Sequence, residues 1–98
     1  MTSVILIGLL VGFLAANGLP HFVKGITGEK HQTPFGQPSS AMVNVAWGWA
    51  NWVVAAILFH IPPMRFHPRA AFLGIAIGVL VCGWWLSTYW TKNPHHNK

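Results

Sequence analysis

Apolar residues run almost without interruption through three stretches, residues 4–23, 42–61 and 70–90, with polar segments between them. Each is about the 20 residues that an α-helix needs to cross the hydrocarbon core of a bilayer. The pattern predicts an all-α membrane protein: one membrane domain over residues 1–98, three transmembrane helices, loops at 24–41 and 62–69, and a polar tail at 91–98. Alternating spans put the end of the first helix, the start of the second and the end of the third in one leaflet.

The first stretch is the least regular. Its clean apolar run from Val4 to Ala16 gives only about 20 Å of helix at 1.5 Å per residue, too short to span. Reaching Val23 means passing through Asn17-Gly18-Leu19-Pro20-His21. Pro20 cannot donate to the carbonyl of Ala16, so a kink or break is predicted there, and the freed carbonyl needs a partner inside the protein. Thr2 or Ser3 is the expected N-cap. No Lys or Arg precedes the stretch and the cleavage pattern is weak, so it is expected to stay in the protein rather than be removed as a signal peptide.

Residues 24–40 interleave Ile26, Pro34, Phe35 and Pro38 with polar groups, which predicts one structured interfacial loop rather than a flexible linker. Ser39 or Ser40 is placed to cap the second helix, Pro62-Pro63 to end it, and Pro68 to open the third.

Composition sharpens this picture. Hydrophobic residues make up 53% of the chain and charged residues 7%, against about 25% charged in a soluble domain. The net charge of +5 comes from Lys24, Lys30, Arg65, Arg69, Lys92 and Lys98 against Glu29, the sole acidic side chain. These cations lie between or after the apolar stretches, where they meet water and lipid headgroups. Scattered in this way they form no basic face for nucleic acid, so membrane lipids are the expected partners. The lysines outnumber the arginines of the 62–69 link, which favours a cytoplasmic long loop and C-terminus. Cys82, alone in the third stretch, reads as a small packing residue.

Small residues recur at four-residue spacing: Gly8, Gly12 and Ala16 in the first helix, Ala70, Gly74, Gly78 and Cys82 in the third. Such faces let helix backbones approach closely in lipid. Three helices bury little of their own surface, so a homo-oligomer or a larger membrane complex is the working expectation. Asn44, Gly48, Asn51 and Ala55 share one side of the second helix, and an asparagine in a bilayer should point into protein. Trp47, Trp49 and Trp52 are expected elsewhere around that helix, and Trp84, Trp85, Tyr89 and Trp90 as an interfacial belt.

One polar constellation stands out. Asn17, His21 and Lys24 share a helical face if the helix persists, Asn44 enters from the second helix, and Ser87, Thr88 and Tyr89 from the third. Glu29, Lys30, His31 and Gln32 hang above in the loop. Either these groups satisfy one another and seat the loop, or Asn17, His21, Lys24, His31 and Asn44 bind a small polar ligand or a lipid headgroup. A metal or haem site is a poor fit: His21 and His31 lack tight ligand spacing, His60 belongs to the other leaflet, and His95 and His96 sit in the tail. With one carboxylate, no phosphate cradle and no nucleophile beside a base, no catalytic residue, cofactor or metal is assigned. The reading is a non-enzymatic protein.

The run Asn17-Gly18-Leu19-Pro20-His21-Phe22, then Gly25-Ile26-Thr27-Gly28 and His31-Gln32-Thr33-Pro34-Phe35, resembles a pattern in an uncharacterised family of small bacterial integral membrane proteins. The likeness extends through Asn44 and Trp47-Gly48. It implies a bacterial inner-membrane location and points at the kink and the loop. It brings no activity or cofactor.

Overall fold

The computed structural model describes residues 2–93; His95, His96 and Lys98 lie outside the described residues. The order of elements is α1 (Thr2–Ile26), β1 (His31–Thr33), β2 (Gly36–Ser39), α2 (Ala41–Phe59), α3 (Pro62–Phe66) and α4 (Pro68–Lys92). α1, α2 and α4 are long and apolar enough to cross a membrane, which makes this a multi-pass membrane protein. Leu10, Phe72, Leu73 and Leu80 are exposed on the outer faces, where acyl chains rather than water would meet them.

α1 begins earlier and ends later than the apolar pattern, and Thr2 and Ser3 already lie within it rather than capping it. No break occurs at Pro20, since the helix continues to Ile26. The reason is support on both sides of the proline. Gly18 lies against the Gly48 carbonyl and Gly25 against the Ala41 carbonyl, so α2 splints both halves. The Trp52 indole also donates to the Ala15 carbonyl (3.0 Å), next to the carbonyl that Pro20 leaves without its helical donor. The helix ends in a Schellman turn: Glu29 N–H donates to Lys24 O (2.9 Å), Gly28 N–H donates to Gly25 O (3.0 Å), and Gly28 takes φ +78°.

The 24–40 loop contains an element that the residue pattern does not predict, a short antiparallel hairpin pairing His31 with Ser39 and Thr33 with Gly36 across a bulge. Hydroxyls hold its tight turn. Thr33 Oγ1 accepts from Phe35 N–H (3.1 Å) and also pairs with Ser39 Oγ, which reaches the Gly36 carbonyl (3.1 Å). Ser40 then caps α2, its hydroxyl accepting from Val43 N–H (3.2 Å). At the other end α2 stops at Phe59, two residues before the expected limit. Pro62 opens the extra short helix α3 within the 62–69 link, and Pro68 opens α4. Proline suits a first helical turn because its missing donor is not needed there.

α1 is the central helix. It packs along both α2 and α4, which barely meet each other, so the three spans form an open layer rather than a closed bundle. Glycine permits both contacts. A Cβ at Gly12 would stand 2.1 Å from the Ile75 carbonyl, and one at Gly78 would stand 2.2 Å from that of Leu9. The glycine faces of the first and third spans therefore close on each other within one chain. They do not remain open for a second copy.

Candidate functional site: a polar cleft beneath the hairpin

The hairpin covers the end of the layer where α1 finishes, α2 starts and α4 finishes. There α2 and α4 stand on either side of α1, and a cleft of about 510 Å³ lies beneath the hairpin. Asn17, Pro20 and His21 of α1 contribute to it, with Trp47 of α2, Trp85, Leu86, Tyr89 and Trp90 of α4, and the hairpin from His31 to Gly36.

Asn44 organises this end. Fully buried, its Nδ2 lies within donating distance of the carbonyls of His31 (3.0 Å), Ser39 (3.3 Å) and Ser40 (3.0 Å). The hairpin is thereby hung from the first turn of α2. Carbonyls only accept, so the amide nitrogen must face them and Oδ1 must face the other way. Oδ1 meets His21 Nδ1 at 2.8 Å. Since Oδ1 can only accept, the proton of that bond belongs to Nδ1, and the neutral imidazole then carries its free lone pair on Nε2.

A second relay runs deeper, one turn along α1 and two along α2. Asn51 Nδ2 donates to the Trp47 carbonyl (2.8 Å), which turns Asn51 Oδ1 toward Asn17, whose Nδ2 donates to it (3.3 Å). Asn17 thus points its own Oδ1 away from Asn51. Each relay starts at a backbone carbonyl and ends in an acceptor on a cleft-lining residue.

Around these groups stand aromatic rings. His31 is buried, its ring 5.1 Å from that of His21 and 4.9 Å from that of Trp90. Tyr89 donates to Gln32 Oε1 (3.4 Å), tying α4 to the hairpin. Phe35 meets Trp47 edge to face at 5.3 Å.

The structure brings Asn17, His21, His31 and Asn44 together and leaves Lys24 out. Lys24 turns to the surface and pairs with Glu29 at 3.1 Å, both partly exposed. The last turn of α1 carries it past the cleft mouth toward the Schellman turn. Ser87 and Thr88 are exposed and do not line the cleft; Tyr89 does. Tyr89 and Trp90 are half-buried under the hairpin rather than free belt residues, whereas Trp84 is exposed. Trp47 also joins the cleft and Trp52 packs on Phe22 at 4.8 Å, roles that helical position alone did not assign. Among the described residues no group of three His, Cys, Asp or Glu side chains could hold a metal ion. Comparison with known proteins finds no matching family model, no matching curated protein and no matching solved structure.

Proposed function

We propose that this protein is a non-enzymatic binder, holding the polar head of a small amphiphile in the cleft beneath the hairpin. The carrying observation is the cleft itself: about 510 Å³ of partly polar, aromatic-lined space at one end of the helices. That volume falls within the range of small-molecule sites. Its depth suits a headgroup, since His21 lies five residues, about 8 Å, before the end of α1. Aromatic residues such as Trp85 and Trp90 favour this depth for the same reason that they collect at membrane interfaces.

The protein is proposed to reside in a bacterial inner membrane, with the hairpin and C-terminus cytoplasmic. The family resemblance supports the location. The lysines Lys24, Lys30 and Lys92 at the hairpin end, against Arg65 and Arg69 at the other, support the orientation. A second reading, an oligomer or an accessory subunit of a larger complex, draws on the open layer, which leaves the outer sides of α2 and α4 without a neighbouring helix among the described residues.

Extraction in a mild detergent followed by native mass spectrometry separates the two. A bound amphiphile retained at one per chain, and lost several-fold in Trp85→Ala with little fall in thermal stability, since that ring is half exposed, is the expected result. Bare chains joined to a defined protein partner would favour the accessory reading instead.

A further inference from the structure

Resting on that binding reading, we infer that the group taken up by the cleft is a primary ammonium, carried by an aminophospholipid head or by a free alkylamine. The inference comes from the hydrogen-bonding polarity of the walls. His21 is only 7% exposed, yet its Nε2 receives no hydrogen bond from the described residues and is not among the sealed side-chain atoms. The carbonyls that orient Asn44 leave that nitrogen as an acceptor. The same logic, running from the Trp47 carbonyl through Asn51, leaves Asn17 Oδ1 as an acceptor with no donor among the described residues. Both residues line the cleft. A ligand that answers them must bring N–H or O–H groups.

Charge and shape narrow the class further. Among the described residues no Lys, Arg, Asp or Glu lines the cleft, while Phe35, Trp47, Trp85, Tyr89 and Trp90 do. Aromatic faces carry negative potential and attract a cation. A phosphate or carboxylate placed among them would find donors in the Gln32 amide and the indole N–H groups, but would set its lone pairs against those of His21 and Asn17, with no cation among the described lining residues to offset the repulsion. A quaternary ammonium would gain the ring attraction but has no N–H to donate. A primary ammonium satisfies both features. Lys30 and Lys92, exposed at the same end, are available to the phosphate of an aminophospholipid.

The test uses the unaltered protein in a neutral maltoside detergent, read by tryptophan fluorescence. It is titrated separately with lysophosphatidylethanolamine, lysophosphatidylcholine, lysophosphatidylglycerol and decylamine. The expected result is saturable binding of the ethanolamine head at least about tenfold tighter than the choline head, a difference of 1.4 kcal/mol, with the glycerol head weakest. In Asn17→Ala the ratio of ethanolamine-head to choline-head affinity should fall toward one. Tight binding of decylamine would identify the amine alone as the recognised group; its failure beside a tight ethanolamine head would identify the lipid. Choline or glycerol heads binding as well as ethanolamine would overturn the ammonium inference and leave the binding proposal standing. No saturable response to any of the four would remove both.

Discussion

Asn44 donates toward three carbonyls of the hairpin and its approach, and accepts from His21. Replacing it with leucine leaves buried carbonyls and an imidazole N–H without partners, in a setting where water does not readily substitute. Hydrogen bonds between membrane helices average only about 0.6 kcal/mol, but orphaned buried groups cost about 1–3 kcal/mol each. Asn44→Leu is therefore expected to lower stability by about 2 kcal/mol. Faster hydrogen exchange should be confined to residues 31–40, measured by mass spectrometry in detergent. An unchanged exchange pattern would show that the hairpin holds itself. The Lys24–Glu29 pair, by contrast, is partly exposed and screened, so its removal should matter little.

The contact between α1 and α4 depends on the absence of side chains. A Cβ at Gly12 would fall 2.1 Å from the Ile75 carbonyl, while Gly83, farther along α4, has nothing within 4 Å. Gly12→Ala should force the helices apart and cost about 1–3 kcal/mol. Gly83→Ala should be neutral or slightly stabilising, because alanine is the better helix former. Thermal unfolding of the pair in one detergent checks this, and equal midpoints would mean that the close approach is not maintained in solution. The spacing of Gly8, Gly12, Gly74 and Gly78 was legible in the sequence as a packing signal. The partner was not, because identical small-residue faces suit another helix of the same chain or of a second copy equally well. The hairpin was hidden for a different reason. Its strands are three and four residues long and rich in Pro, Gly, Ser and Gln, so they show no alternation of apolar and polar positions.

The open layer with α1 in its middle sets the geometry of the whole protein: the hairpin and the end of α4 lie at one end, α3 at the other. Glu29→Cys and Thr91→Cys should accordingly react with a membrane-impermeant maleimide from the same side, the cytoplasmic one under the proposed orientation, and Arg65→Cys from the opposite side. Cys82 is buried and should stay silent. Labelling of positions 29 and 65 from one side would contradict three spans and would dismantle the cleft.

Hydropathy and periodicity sufficed for the number of spans, the polar face of α2 and the meeting of Asn17, His21 and Asn44 near one membrane surface. Those features follow from helix pitch and from the cost of polar groups in lipid, both local rules that act on neighbouring residues. The continuation of α1 past Pro20, the turning of Lys24 to the surface, and the burial of His31 beside Trp90 follow no local rule. They depend on which side chains arrive from α2, α4 and the hairpin, and on the carbonyls that aim each amide. The acceptor roles of His21 Nε2 and Asn17 Oδ1 belong with them, since an asparagine or histidine can present either a donor or a lone pair until its neighbours fix which.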